Sequence, residues 1–147
     1  MGVFYSAVRP HKPRSPNQVF NFPLQDHPEY SRRLIARLSE AVIVPPARVS
    51  LGAWLPAEND CHANVATSCR NTKGFQIVRG WLYFDMANLM PIVLFNAHSV
   101  VRNERGELWD ITPTKATSPY PFLIAEESEE EYAKFIKAGA VRLRHFK

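Results

Sequence analysis

An α+β fold, with helices packed on a mostly antiparallel sheet, is predicted from three observations. Apolar residues recur at three- and four-residue steps just after Pro28, which marks an early amphipathic helix. Segments rich in Val, Ile, Phe, Trp and Tyr crowd residues 75–112, and the last two of them are joined by a tight turn. Ser128 followed by Glu131 then forms a capping box that opens a final helix.

The elements follow in chain order. Prolines at 10, 13, 16 and 23 keep residues 1–27 as an extended arm and loop, and residues 28–147 form a single domain. Tyr30, Leu34, Ile35, Leu38, Ala41 and Val42 share one helical face, with Arg32, Arg33 and Arg37 mostly outward, and this helix should end before Pro45. After Pro56, Asn59 and Asp60 offer side-chain oxygens to the free amides of a second helix, which places Cys61 in its first turn. Strands are expected over 75–84, 92–101 and 108–112. The third helix should run from Ser128 through Tyr132, Phe135 and Ile136 to Gly139, and a short strand over 140–146 closes the chain.

Composition narrows the function classes. The 147 residues are 46% hydrophobic and 22% charged, enough to build a core without disulfides or metal. The apolar run from Met90 to Phe95 is far shorter than the roughly 20 residues of a membrane span. Arg9, Lys12 and Arg14 interrupt any signal-type stretch, so a cytoplasmic location is expected, with no membrane partner. The net charge of +4 is spread along the chain rather than gathered into a basic stripe interleaved with aromatics, which argues against nucleic-acid binding. Cys61, His62, Cys69 and His98 match no common structural zinc spacing, and no metal or cofactor is expected. On a helix Cys61 and Cys69 stand about 12 Å apart by axial rise, too far for a disulfide. The acidic run Glu126 to Glu131 reads as a solvated helix start.

The sharpest local prediction concerns residues 98–112. Asn103-Glu104-Arg105-Gly106 suits a type I turn closed by a glycine at positive φ, in which Asn103 pairs with Glu107. In that register His98 faces Thr112 and Val100 faces Asp110. His98 and Asp110 then become diagonal neighbours on one face, about 7–8 Å apart at the backbone, and their side chains can meet. A one-residue slip would send them to opposite faces. Cys61, at a helix start, feels the positive end of the helix dipole, and a nearby imidazolium would favour its thiolate further. A thiol to attack a carbonyl, an imidazole to exchange protons and a carboxylate to orient it are the parts of nucleophilic catalysis, and Cys61, His98 and Asp110 supply them. The amides of Cys61 and His62, helped by the Asn59 side chain, would face the oxyanion. Each member also has a plain alternative: Cys61 as a small buried hydrophobe, His98 as a satisfied strand histidine, Asp110 as the cap of a turn with Thr112 and Pro113. Phe75, Trp81, Tyr83 and Phe84 suit a sheet core, although Trp81 beside Gly80 is also carried as a candidate groove-lining residue.

His98-Ser99-Val100-Val101 and Gly106-Glu107-Leu108-Trp109-Asp110-Ile111-Thr112-Pro113 resemble the histidine and aspartate blocks of the papain-like and transglutaminase-like superfamily. Cys61-His62-Ala63-Asn64-Val65, with Cys69 eight positions after Cys61, is similar to the Cys-Glu-Glu-Asn-Ile/Val block of protein N-terminal glutamine amidohydrolases. Pro121-Phe122 is comparable to a Pro-Phe that follows the aspartate strand in that family. The resemblance covers residues 61–122 and adds Asn64 to the candidate binding residues. It implies a papain-like domain attacking a carboxamide, ester or thioester through an acyl-enzyme, with glutamine deamidation as the first choice of reaction and a protein or peptide as substrate. A peptidase or a transglutaminase-type acyl transferase would use the same triad. His62 and Ala63 stand where the family has acidic residues suited to a free α-amino group, and the Gly80-Trp81 pair has no counterpart there. The rival of another class is a non-catalytic protein-binding module using the basic residues 9–14 and an aromatic groove.

Overall fold

The computed structural model describes residues 25–116, 118–138 and 142–147. In chain order the elements are β1 (Gln25–Asp26), α1 (Pro28–Ala36), a 3-10 turn (Leu38–Glu40), α2 (Cys61–Asn71), β2 (Gln76–Asp85), β3 (Ile92–Arg102), β4 (Leu108–Trp109), β5 (Phe122–Ile124), α3 (Glu129–Lys137) and β6 (Arg142–Phe146). The class is α+β. One six-stranded sheet runs β1-β6-β3-β2-β5, with β4 also on β3, and every pair is antiparallel except β1 with β6.

The two long strands carry the molecule. β2 and β3 pair along their whole lengths, from Gln76 opposite Arg102 to Asp85 opposite Val93. Because side chains alternate, this register separates two faces. Trp81, Phe95, Leu123 and Leu143 pack beneath α1 and α3, against Tyr30, Leu34 and Tyr132. On the other face Val78, Val100 and Phe122 meet Val44. A smaller cluster, Val65, Val101 and Ile111, fastens α2 to β3.

Several expected boundaries are corrected. Residues 1–24 of the predicted arm lie outside the described residues, but Gln25 and Asp26 belong to the sheet, where Asp26 meets Arg144 through two hydrogen bonds of 3.0 and 3.1 Å. The first helix stops at Ala36 instead of approaching Pro45. Its successor Val42 is extended, exchanging both backbone hydrogen bonds with Phe122. Three β-branched residues before a proline pair favour that conformation. The strand expected over 108–112 ends at Trp109, since Asp110 turns away to bond the Pro45 carbonyl and the Ala47 amide. The strand β5 carries no alternation that would announce it. Ser128 caps α3 as predicted, its Oγ accepting from the Glu131 amide, and that helix ends at Lys137. Gly139 and Ala140, where the helix end and last strand were expected, lie outside the described residues.

One interruption in the sheet positions the site. β6 pairs with β3 only as far as Asn96, and β4 begins only at Val101. Among the described residues, 97–100 have a strand neighbour on the β2 side alone. The first turn of α2 packs against this stretch of β3, with His62 bonded to Ser99.

Candidate functional site

The hairpin after β3 forms in the predicted register, with Val101 opposite Trp109 and Arg102 opposite Leu108. Gly106 takes φ 80°, and the Asn103 carboxamide oxygen accepts from the amides of Arg105 and Glu107. With the register set, His98 Nε2 meets Asp110 Oδ2 at 2.7 Å. The other carboxylate oxygen accepts the Thr112 amide at 3.1 Å, so Asp110 caps the turn and orients the imidazole at once. Its backbone is held on both sides by Pro45 and Ala47.

Cys61 is the first residue of α2, and its thiol lies close enough to His62 and His98 for both rings to act on its ionisation. Asp110 occupies His98 Nε2, which leaves Nδ1 for the sulfur. Burial alone would raise the thiol pKa, but the hydrogen bonds from His62 and His98 outweigh it and hold Cys61 at about 6. Burial likewise opposes charge on His98, yet the Asp110 and Cys61 hydrogen bonds push it up to about 9. This order of values favours a thiolate on Cys61 and an imidazolium on His98 near neutral pH. Cys69, half-buried against the Val65 cluster, is displaced the other way by desolvation. Both cysteines are free thiols.

His62 has its own scaffold, which composition and motif do not announce. Its Nδ1 lies 2.6 Å from Ser99 Oγ, and Arg79 Nη1 donates to the same oxygen at 2.9 Å. Arg79 can only donate, so the Ser99 hydroxyl accepts from it while sharing a second hydrogen bond with His62 Nδ1. Arg79 is in turn fixed by Glu129 at the start of α3, with contacts of 2.7, 3.0 and 3.2 Å. An arginine midway along an apolar strand was the available signal. Tyr132, whose hydroxyl donates to the Gly80 carbonyl at 2.9 Å, packs its ring edgewise on His62.

The remaining candidates separate clearly. Asn59 lies on the cleft wall at φ 59°, exposed. The helix N-cap is Asp60, and its side chain does not cap, contrary to expectation. The first-turn amides are thus left available to an incoming oxygen. Asn64 is a correction: 2% exposed, it bonds the Ala57 amide and carbonyl and the Thr112 hydroxyl, so it ties the loop before α2 to the Asp110 turn and presents nothing to a substrate. Trp81 is another. Gly80 pairs with His98 and shares its face, so Trp81, one residue on, must point to the opposite core, where it is fully buried and donates to Tyr30 Oη at 3.0 Å. Gly80 leaves the room in which the Phe122 ring reaches His98, edge-on at 6.1 Å; a Cβ there would strike the Leu123 carbonyl and that ring.

A cleft of about 580 Å³ opens over Cys61 and His98, walled by Leu82, Phe84, Tyr120 and Phe122. Among the described residues no group of three or more His, Cys, Asp or Glu is placed to hold a metal ion, and no helix is long and apolar enough to cross a membrane. Comparison with family models, curated proteins and solved structures finds no match to this chain.

Proposed function

We propose that this chain is a cysteine amidohydrolase of papain-like architecture, with Cys61 as nucleophile, His98 as general acid and base, and Asp110 as the group that orients the imidazole. The observation that carries this reading is the convergence of the three side chains, from a helix start, a strand and a turn, at the floor of an open cleft. The thiolate attacks the carboxamide carbon, and the developing oxyanion meets the first-turn amides of α2. His98 Nδ1-H protonates the amide nitrogen, which departs as ammonia as the C-N bond breaks, and the thioester and neutral imidazole remain. Water then gives a proton to the neutral imidazole and attacks the thioester, releasing a carboxylic acid and restoring the thiolate-imidazolium pair. Burial, followed by the negative charge of Cys61, raises the pKa of Tyr132 and keeps its hydroxyl a donor beside this chemistry.

Glutamine side chains in peptides are the first choice of substrate, from the resemblance of residues 61–65 and 98–113. The test is ammonia release from a panel of glutamine-containing peptides, with Cys61→Ala as control. Ammonia with an intact backbone supports deamidation; cleaved backbone without ammonia replaces it by peptidase action, and an amine-dependent product by acyl transfer. Equal, slow alkylation of Cys61 and Cys69 by iodoacetamide would discard the enzyme in favour of a binding module.

A further inference from the structure

The cleft over Cys61 contains a second polar element that the proposed chemistry does not use. Arg142 opens β6 directly opposite Asn96, and its Nε donates to Asn96 Oδ1 at 3.2 Å. Both line the cleft. His98 lies two residues beyond Asn96 on the same face of β3, so Arg142 stands one diagonal step from the imidazole, about 7–8 Å at the backbone.

The way this arginine is held distinguishes it. Arg37, Arg79 and Arg144 each rest on a carboxylate, at 2.9, 2.7 and 3.0 Å respectively. Arg142 is held by a neutral amide, which fixes its direction without cancelling its charge. Among the described residues its two terminal nitrogens meet no acceptor, and the one carboxylate lining the cleft, Asp110, is committed to His98. A guanidinium with its fork free is shaped for a carboxylate. Leu82 and Phe84, across β3 from Arg142, add apolar surface to the same cleft.

We infer that Arg142, braced by Asn96, is a carboxylate subsite, and that the acyl donor presented to Cys61 ends in an anionic carboxylate separated from its reactive carbonyl by a short spacer. The inference rests on Cys61 being the reacting thiol. A free dicarboxylic monoamide and the C-terminal residue of a peptide share this chemistry.

Chloroacetamide probes test it. N-chloroacetyl derivatives of glycine, β-alanine and γ-aminobutyrate, and a chloroacetyl tetrapeptide with a free C-terminus, are each compared with their uncharged methylamides, and labelling of Cys61 is followed by mass mapping. At one spacer length the carboxylate should label about tenfold faster than its methylamide, and the advantage should shrink as salt is raised. Arg142→Gln should bring that ratio close to one, Arg142→Lys should retain part of it, and Arg105→Gln, at the exposed hairpin tip, should leave it unchanged. The probe that gains most, small or peptide, identifies the source. If the methylamides label Cys61 rapidly but no carboxylate gains, or the gain survives Arg142→Gln, the subsite is overturned while the reactive thiol stands. Should no probe label Cys61 faster than Cys69, the thiol reading itself falls and the subsite with it. The salt response of the unaltered protein decides the matter even where Arg142→Gln folds poorly.

Discussion

At Cys61 two imidazoles act on one sulfur, and they act differently. His98, braced by Asp110, is pushed up to about 9 and lends both charge and a proton, whereas His62 is anchored through Nδ1 to Ser99, which Arg79 also holds. The alkylation rate of Cys61 should therefore rise through about pH 6 and level off, while Cys69, raised by burial, reacts only at much higher pH. Pseudo-first-order iodoacetamide kinetics with peptide mapping measure both. His98→Ala should move the Cys61 midpoint towards that of an ordinary thiol. Ser99→Ala, which removes the anchor of His62 Nδ1, should move it up by only about half a pH unit, roughly the effect of one weakened hydrogen bond. If both variants left the midpoint near 6, neither ring would be the cause of the low value. Cys61, His98 and Asp110 were legible because residue type, order and turn chemistry all pointed one way. Ser99 and Arg79 were not, because their role depends on α2 packing its first turn against β3.

The β3–β4 hairpin and the β2–β5 contact show how elements deliver these residues. Gly106 and Gly80 are both needed, for different reasons. At Gly106 φ is 80° but a Cβ would meet open space, so Gly106→Ala carries only the backbone penalty, about 1 kcal/mol. At Gly80 the obstacle is contact, and Gly80→Ala must displace either the Leu123 carbonyl or the Phe122 ring, for about 1–3 kcal/mol. Urea unfolding should rank them in that order. Thiol reactivity should separate them further, since Phe122 lies edge-on to the His98 ring and Gly106 touches nothing in the site. Equal loss of Cys61 reactivity in the two variants would mean that the Phe122 contact does not position the imidazole. The hairpin was readable because Asn103 and Gly106 are local signals. β5 and the true end of α1 were hidden, because Val42 and Phe122 find each other across the fold and no pattern within either segment records it. Trp81 was ambiguous by composition, and only the pairing of Gly80 with His98 sends it to the core.

For the molecule as a whole, the charged pair links the site to the stability of the sheet that carries it. Cys61 has a folded pKa depressed from 9.0 to about 6, so its contribution is present above its unfolded pKa and is lost as pH falls through 6. His98 is raised from 6.5 to about 9, so its contribution is full below its unfolded pKa and is lost as pH rises through 9. Between about 6.5 and 9 the first grows with pH while the second declines, and the two slopes oppose one another. The native protein should therefore show a nearly level unfolding midpoint across this range. Cys61→Ala removes only the rising limb. His98 keeps its bond to Asp110, the largest of the influences that raise it, so the variant should lose stability steadily between pH 7 and 9. Asp26, Asp85 and Glu129 all have pKa values lowered by basic partners and titrate well below this window, so they do not disturb the comparison. Urea midpoints at pH 6.5, 7.5 and 9 for the two proteins provide the measurement. A Cys61→Ala profile as level as that of the native chain would show that the folded protein does not hold His98 as a cation. The thiol would then have lost its charged partner, and proton transfer to a leaving group would have no donor at neutral pH.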